Sequence, residues 1–178
     1  APIHLLCFGG SQGSSALSRA LVQALPALPG EESLSIVHQT GPAQVDRIQE
    51  AYRVAGRRAL VTPFIDDMGQ AFANADLLLC RSGATTLAEL TVAGKAAVLV
   101  PLRSAAEDHQ TLNAQALAAK GAAVMLAESE LATLGAVLSA LVANPERIRS
   151  TEANARALGR PDAAARVASL LLLWAKTP

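Results

Sequence analysis

Six short runs of apolar residues alternate along this chain with longer segments whose apolar residues recur at helical spacing. The short runs are apolar throughout rather than at alternate positions, which is typical of parallel strands buried on both faces. Regular alternation of such strands with helices predicts an α/β fold with a doubly wound parallel sheet. The predicted strands are residues 3–8, 34–38, 59–61, 77–80, 97–100 and 122–126.

Eight helices are predicted between and after these strands. The length of 178 residues fits one domain, and we expect residues 1–178 to form it. A hydrophobic fraction of 51% and a charged fraction of 17% suffice for a folded core and exclude a disordered chain. The predicted helices are residues 14–25, 43–55, 66–74, 85–93, 108–120, 130–143, 145–158 and 162–175.

Charge and cysteine usage narrow the class of protein. Lys and Arg together number 15, as do Asp and Glu, so the chain lacks the basic excess of a nucleic-acid-binding surface. Cys7 and Cys80 each lie in a predicted strand, and no cluster of cysteine and histidine indicates a metal. We therefore expect two reduced core thiols, no metal or other cofactor, no nucleic-acid partner and a cytoplasmic protein.

The ends of the chain show no membrane-targeting pattern. No signal peptide precedes the first strand, and the longest apolar run, residues 170–175, is far shorter than a membrane span. The first residue is Ala1 rather than Met, so we expect a domain excised from a longer protein.

A glycine-rich stretch, GGSQGS at residues 9–14, follows the first strand. Ligands of a doubly wound sheet bind at the carboxyl ends of strands, where the strand order reverses. Glycines allow a tight turn and close backbone approach, and the next helix presents free N–H groups to an anion. The stretch matches neither the dinucleotide pattern nor a P-loop. It predicts a phosphate loop of Gly9, Gly10 and Gly13, with a plain strand-to-helix turn as the alternative.

The second stretch, PFIDDM at residues 63–68, follows the third strand. An aromatic side chain followed by a β-branched residue, here Phe64 and Ile65, can receive a planar base that backbone groups then recognise. The alternative is a hydrophobic staple at the entry to a helix, with Asp66 as the cap.

The third stretch, RSGATTLAE at residues 81–89, follows the fourth strand. Arg81 ends a buried strand, where a charge is costly unless it meets a partner. Small residues then open a helix that can accept an anion. Glu89 lies one turn beyond Thr85 on the same helix face, where its carboxylate can accept two hydrogen bonds from a ribose diol. The alternative is a capping Ser82 and an exposed helix glutamate.

The fourth stretch, EDHQT from Glu107 to residue 111, follows the fifth strand. Gln110 can donate and accept hydrogen bonds, which suits sugar hydroxyls. His109 is a candidate general base, but ligand positioning or helix capping is favoured because no orienting partner is visible. His4 and His38 are interpreted as structural, with the loop of His38 as a further pocket wall. Together the four stretches predict a nucleoside-diphosphate-sugar site at one edge of the sheet.

The same stretches resemble the MurG family, the UDP-N-acetylglucosamine transferases of peptidoglycan synthesis. The resemblance covers nearly the whole chain, and the combination of FIDDM with RSGA is specific. It implies the C-terminal, donor-binding half of a two-domain GT-B glycosyltransferase built from two Rossmann-like domains. The matching segments are GGSQG at 9–13, HQTG at 38–41, FIDDM at 64–68, RSGATTLAE at 81–89, DHQTLNA at 108–114 and PDAAARVA at 161–168.

The resemblance also implies a role for each matching position. Ser11 would contact the diphosphate of UDP-N-acetylglucosamine, and Glu89 would hold the ribose hydroxyls. The backbone of Ile65 would read uracil beside Phe64 and Met68. Gln110, with His109 beside it, would contact the hydroxyls of N-acetylglucosamine. The remaining substrate-binding positions, near the start of the helix, are Arg81, Ala84, Thr85, Thr86, Leu87 and Ala88.

The implied reaction is an inverting transfer of N-acetylglucosamine to the C4 hydroxyl of lipid-linked N-acetylmuramyl-pentapeptide, which converts lipid I to lipid II. The amino-terminal domain of the family carries a glycine-rich loop ending in His, the acceptor site and the base, and no such segment occurs here. We therefore predict donor binding without useful transfer, and no confident catalytic residue in this chain. Two alternatives remain: a natural donor-binding subunit with a separate acceptor subunit, and a non-catalytic interaction module.

The resemblance places the parent enzyme on the cytoplasmic face of the bacterial inner membrane as a peripheral protein, which meets lipid I through its N-terminal acceptor domain. The terminal helix, within residues 161–178, is expected to pack toward that domain. Its LLLLW run at residues 170–174 would then expose apolar side chains in the isolated chain and allow self-association. The alternative is that this helix packs on its own sheet.

Overall fold

The six strands of the sheet are all parallel and lie in the order β3-β2-β1-β4-β5-β6. The computed structural model describes residues 1–102 and 108–175. The predicted α/β class and six-stranded parallel sheet are confirmed. The strands are β1 Ile3–Phe8, β2 Leu34–Gln39, β3 Leu60–Thr62, β4 Leu77–Cys80, β5 Ala96–Leu99 and β6 Val124–Met125.

Helices follow the strands and cover both faces of the sheet. Within the described ranges, short 3-10 helices also occur at Leu25–Ala27, Pro42–Gln44 and Glu128–Thr133. The α-helices are α1 Ser15–Ala24, α2 Val45–Val54, α3 Met68–Asn74, α4 Ala84–Ala93, α5 His109–Ala118, α6 Leu134–Val142, α7 Pro145–Leu158 and α8 Ala163–Ala175.

Successive residues of β1, β4 and β5 point into two separate cores, as a parallel sheet buried on both faces requires. Leu5 and Cys7 of β1 pack on the face covered by α1, α2 and α6. Leu6 and Phe8 pack on the face covered by α3, α4, α5 and α7. Cys7 and Cys80 are buried free thiols, and burial raises the pKa of Cys80 to about 12. Continuous apolar strands are therefore explained by two cores, one on each face.

The helix predicted over residues 130–143 is wrong at its first four residues. Glu128–Thr133 forms a 3-10 helix, and the α-helix begins only at Leu134. The carboxylate of Glu130 accepts a hydrogen bond from the backbone of Ala127 at 3.2 Å, and the Thr133 hydroxyl donates to the Glu130 carbonyl at 2.8 Å. Such local side-chain bonds compete with regular α-helical pairing.

Prolines shorten two further predicted helices. The helix predicted over residues 14–25 ends at Ala24, because Pro26 cannot supply the N–H of a continuing helix and the chain turns into a 3-10 segment. The helix predicted over residues 43–55 begins at Val45, after a 3-10 turn that starts with Pro42. The middle of each of these two predicted helices is helical, and only the ends differ.

The sixth strand is shorter than the predicted residues 122–126. Only Val124 and Met125 pair with β5. The backbone N–H of Ala122 donates to the Leu117 carbonyl at 3.0 Å, so this residue closes α5 instead of joining the sheet. Gly121, with φ of 64°, makes the left-handed turn that this closure needs. The bounds of β2, β3 and β5 differ from prediction by one residue.

Helix α8 exposes its apolar side chains to solvent. Leu170, Leu171 and Leu172 are 58–63% exposed, and Trp174 is 78% exposed. The alternative in which this helix packs its apolar residues on its own sheet is therefore wrong. No helix in residues 1–102 and 108–175 is long and apolar enough to cross a membrane.

Candidate functional site

The order of the strands reverses at β1, which lies between β2 and β4. The chain leaves β1 toward α1 on one face and leaves β4 toward α4 on the other. This divergence opens a crevice at the carboxyl ends of β1 and β4, which is the place where doubly wound sheets bind their ligands. The predicted stretches after β1 and β4 therefore flank one crevice.

The stretch after β1 forms a tight glycine turn. The N–H of Gly13 donates to the carbonyl of Gly10 at 2.9 Å, and the two glycines have φ values of 72° and 85°. Ser11 lies exposed at the tip of this turn. Ser14 caps α1, since its hydroxyl accepts from the N–H of Leu17 at 3.4 Å. The turn thus exposes Ser11 and its neighbouring backbone at the crevice.

The loop after β2 holds the glycine turn in place. A β-carbon on Gly13 would lie 1.9 Å from the carbonyl oxygen of Thr40, so the two backbones are in direct contact. The buried side chain of Gln39 donates from Nε2 to the carbonyl of Gly10 at 3.0 Å and to that of Pro63 at 3.2 Å. Gln39 therefore joins the loops after β1, β2 and β3. No site role was predicted for Gln39, although a polar residue ending a buried strand was a usable signal.

The stretch after β3 carries an exposed aromatic side chain. Phe64 is 52% exposed, and its carbonyl accepts a hydrogen bond from the Thr62 hydroxyl at 2.7 Å. Ile65 is half-buried, and within the described residues its backbone groups have no hydrogen-bond partner. A groove of about 470 Å³ between α3 and the neighbouring strands is lined by Phe64, Ile65 and Gln70, among others.

The entry into α3 differs from the alternative that gave Asp66 the capping role. The cap is Asp67, whose Oδ1 accepts from the N–H of Gln70 at 2.8 Å. Asp66 is then the residue before the cap, where a hydrophobic staple needs an apolar side chain. The staple of that alternative is therefore absent.

Helix α4 begins without a side-chain cap. Its N-cap is Gly83, and no side chain in the described part of the chain accepts a hydrogen bond at this end. Ala84 and Thr85 are exposed and Thr86 is half-buried, and their first-turn N–H groups have no acceptor among the described residues. Free N–H groups and the positive end of the helix dipole together favour an anion at this position.

Ser82 does not cap α4 as the alternative assumed. It is fully buried, and its hydroxyl donates to the carbonyl of Gln110 at 2.8 Å. The Nδ2 of Asn113 donates back to the carbonyl of Ser82 at 3.1 Å. These two bonds fix the start of α5 beside the start of α4. Neither Ser82 nor Asn113 was predicted as part of the site's framework.

The remaining residues of the third stretch divide between the core and the surface. Leu87 is only 7% exposed and its side chain packs in the core, so its contact with the donor stays a prediction for the backbone. Its spacing of three from the buried Leu90 was a usable signal for that placement. Ala88 and Glu89 are exposed. Glu89 and Met68 line one groove of about 570 Å³ between α3 and α4.

Arg81, a charged residue at the end of a buried strand, has hydrogen-bond partners within the protein. Its guanidinium donates to Glu128 Oε2 at 2.9 Å, to the carbonyls of Val100 and Pro101 at 3.2 Å each, and to the Ser14 hydroxyl at 3.1 Å. The Arg81 side chain is 12% exposed and that of Glu128 is 28% exposed. Glu128, which follows β6, was not among the predicted site residues.

Helix α5 brings the fourth stretch to the same edge of the sheet. The N-cap is Asp108, in the left-handed region with φ of 54°, so the alternative that gives His109 the capping role is wrong. His109 is exposed at the first helical position. The side-chain oxygen of Gln110 accepts from the N–H of Leu102 at 3.1 Å. Glu107 lies outside the described residues.

The structural interpretation of His38 is confirmed, and its side chain is buried rather than part of a pocket wall. Its Nε2 shares a hydrogen bond with the Ser18 hydroxyl at 3.1 Å, and its Nδ1 with the Tyr52 hydroxyl at 3.2 Å. Burial lowers the pKa of His38 from 6.5 to about 4, so the ring is neutral at pH 7. His4 lies in β1 and its Nδ1 is 2.5 Å from the Ser35 hydroxyl.

In residues 1–102 and 108–175, no group of three or more His, Cys, Asp or Glu side chains is placed to hold a metal ion. The described residues bring together glycine turns, a bare helix start, the exposed ring of Phe64, the exposed carboxylate of Glu89 and the amide of Gln110. These groups suit an anionic ligand with a planar base and hydroxyls.

Several proteins with similar sequences are named as N-acetylglucosamine transferases. The chain is 49% identical over 168 residues to the UDP-N-acetylglucosamine--N-acetylmuramyl-(pentapeptide) pyrophosphoryl-undecaprenol N-acetylglucosamine transferase of Syntrophotalea carbinolica, covering 92% of this chain and 47% of the relative. It is 47% identical over 177 residues to the enzyme of that name from Nitratidesulfovibrio vulgaris strain Hildenborough, covering 98% of this chain and 48% of the relative. The chain thus spans about half the length of these curated relatives.

Solved structures agree with the sequence comparison. The crystal structure of Acinetobacter baumannii MurG is similar with a TM-score of 0.88 and 39% identity, covering 96% of this chain and 52% of that one. The fold alone is shared with the UDP-GlcNAc 2-epimerase of Neisseria meningitidis, with a TM-score of 0.67, 14% identity and coverage of 96% and 44%. The family model for the glycosyltransferase family 28 C-terminal domain matches residues 4–167. The chain therefore belongs to the glycosyltransferase family 28 C-terminal domain family.

Proposed function

We propose that this chain is the donor-binding domain of a UDP-N-acetylglucosamine transferase of peptidoglycan synthesis. The observation that carries the proposal is the uncapped start of α4, which lies across the switch-point crevice from the glycine turn of residues 9–13. The names of the relatives, which are N-acetylglucosamine transferases, supply the donor and the acceptor.

The diphosphate of the donor binds at the start of α4. The N–H groups of Ala84, Thr85 and Thr86 donate to its oxygens, and the helix dipole favours the negative charge. Ser11 and the backbone of Gly9, Gly10 and Gly13 approach the diphosphate from the other side of the crevice. The exposure of Ser11 and the positive φ values of Gly10 and Gly13 support this arrangement.

The nucleoside binds between α3 and α4. Glu89 accepts hydrogen bonds from the ribose diol, and its groove is shared with Met68. Uracil lies beside Phe64 and is read by the free backbone groups of Ile65. The exposed ring of Phe64 supports this placement, because large apolar side chains exposed beside polar groups mark binding surfaces.

The sugar extends toward the start of α5, where His109 and Gln110 contact its hydroxyls. In the reaction, the C4 hydroxyl of the lipid-linked N-acetylmuramyl-pentapeptide attacks the anomeric carbon from the face opposite the diphosphate. The bond from that carbon to the diphosphate oxygen breaks, and UDP leaves with both electrons. The start of α4 stabilises the charge that develops on the leaving UDP. The hydroxyl proton goes to a base in the acceptor domain.

The parent protein completes the site with an N-terminal acceptor domain that binds lipid I at the cytoplasmic face of the inner membrane. Without that domain, the chain holds the donor and does not transfer its sugar at a useful rate. Helix α8 packs toward the acceptor domain in the parent protein. In the isolated chain its exposed leucines and Trp174 allow self-association.

Amide hydrogen exchange tests the location of the site. Saturating UDP should slow exchange at the first-turn amides of α4, at residues 10–13 and at Ile65. Exchange at residues 30–33, at the opposite edge of the sheet, should not change. Protection that omits the start of α4 would show that the diphosphate binds elsewhere.

A further inference from the structure

We propose that Arg81 and Glu128 form a positioning pair for the diphosphate site, and that Arg81 is not itself a ligand of the diphosphate. The inference rests on the proposed function and deepens it. It also reassigns Arg81 from the predicted substrate-binding set to the framework behind the site.

The guanidinium of Arg81 joins the ends of four strands. Arg81 directly follows β4. Its Nη2 donates to the hydroxyl of Ser14 at 3.1 Å, in the segment after β1. Its Nη1 donates to the Val100 and Pro101 carbonyls after β5 at 3.2 Å each, and to Glu128 after β6 at 2.9 Å. All four acceptors belong to the protein, so the side chain is already committed to bonds within the fold.

These contacts set the spacing between the two anion-binding elements. Ser14 both caps α1 and ends the glycine turn, whereas α4 starts three residues after Arg81. Any shift of the guanidinium therefore moves the glycine turn relative to the first-turn N–H groups of α4. A diphosphate that bridges the two elements requires their donors to be fixed in advance.

Glu128 determines which way the guanidinium points. The ion pair is mostly shielded, with 12% of the Arg81 side chain and 28% of the Glu128 side chain exposed, so solvent and salt screen it less than a surface pair. A carboxylate 2.9 Å from the guanidinium also repels a phosphate that would bind the same group. Positioning by Arg81 and direct contact between Arg81 and phosphate therefore predict opposite effects on UDP affinity when Glu128 is neutralised.

The test measures the affinity of the chain for UDP and for uridine in wild type and Glu128→Gln. Glutamine keeps the size and an acceptor oxygen but removes the charge. We expect UDP to bind more weakly by about 2-fold to 30-fold, the range for residues coupled to a site without touching the ligand. Uridine, which has no phosphate, should bind unchanged. Loss confined to the phosphate-bearing ligand separates positioning of the diphosphate site from general loosening of the fold.

Glu31→Gln is the matched control. Glu31 forms an ion pair with Arg58 at 2.7 Å and is 32% exposed, but it precedes β2 at the opposite edge of the sheet. The Glu31→Gln substitution should leave the affinities for UDP and uridine unchanged.

Arg81→Lys is the second variant, because lysine keeps the charge but cannot reach four acceptors. Adding Glu128→Gln to Arg81→Lys should weaken UDP binding by less than about twofold further, since paired residues are not additive.

Equal or tighter UDP binding by Glu128→Gln would overturn the positioning pair in favour of direct contact between Arg81 and phosphate. Equal losses for UDP and uridine, or strictly additive effects of the two substitutions, would also overturn it. Failure of the wild-type chain to bind UDP would instead reject the proposed function. The wild-type titration thus separates the two failures.

Discussion

The carbonyl oxygen of Thr40 lies so close to Gly13 that a β-carbon on Gly13 would come within 1.9 Å of it. Gly13 also has a φ of 72°, which L side chains rarely adopt. Gly13→Ala should therefore lower the free energy of unfolding by about 3 kcal/mol or more, since a left-handed alanine alone costs about 1–2 kcal/mol and backbone must also move. Chemical denaturation measures this loss, and UDP binding should fall with it.

Gly10→Ala is the control for that clash. Gly10 has a φ of 85°, but nothing lies within 4 Å of an added β-carbon. Gly10→Ala should lower the free energy of unfolding by about 1–2 kcal/mol, the cost of the left-handed conformation alone. If the two variants lose equal stability, the close packing of the loops after β1 and β2 is not what requires glycine at position 13.

The buried His38 makes stability depend on pH. Its pKa is about 4 in the folded chain and 6.5 ordinarily, because burial disfavours the charged ring. Between these pH values His38 binds a proton in the unfolded chain but not in the folded chain. The contribution of neutral His38 to stability is therefore complete above about pH 6.5 and is lost as the pH falls toward 4. The loss attributable to His38 should approach about 3 kcal/mol. Urea denaturation at pH 7, 5.5 and 4.5 measures it.

His38→Gln isolates this contribution. Glutamine retains donor and acceptor groups for Ser18 and Tyr52 but does not titrate. The variant should be less stable than wild type at pH 7, and its stability should fall less steeply between pH 6.5 and 4.5. Parallel pH profiles for the two proteins would contradict the assignment of this window to His38.

Glu89→Ala should weaken UDP binding without affecting the fold. The side chain is exposed on α4, so its removal leaves no buried group without a partner. Loss of charge-assisted hydrogen bonds to the ribose should weaken affinity about tenfold to a hundredfold. Calorimetric titration with UDP measures the change, and Glu32→Ala, an exposed glutamate at the opposite edge, is the control.

The ribose assignment has its own check with 2′-deoxy-UDP. Wild type should bind this ligand more weakly than UDP, whereas Glu89→Ala should discriminate little between the two. If the variant retains the full preference of wild type for UDP, another residue holds the ribose hydroxyls.

The sheet and the edge that carries the site could be predicted from local patterns. Continuous apolar runs such as residues 77–80 reflect burial on both faces, and the stretches that follow them must lie at one edge of a parallel sheet. Helical spacing also contained the signal that Leu87 lies in the core with Leu90.

The framework behind the site could not be predicted, because it depends on strand order and on partners distant in sequence. Gln39 joins Gly10 and Pro63 only because β2 lies between β1 and β3. Glu128 meets Arg81 across 47 positions of sequence. Local side-chain bonds that convert Glu128–Thr133 to a 3-10 helix are similarly invisible to hydrophobic periodicity.

We propose that this chain binds a nucleotide-sugar donor and does not transfer the sugar by itself. Isothermal titration of the 178-residue chain with UDP-N-acetylglucosamine tests it most directly, followed by incubation of the same sample with the lipid-linked acceptor. We predict saturable one-site binding that UDP competes away, and no transfer. Absence of binding at millimolar ligand would contradict donor recognition, and turnover by the chain alone would contradict the division of labour between two domains.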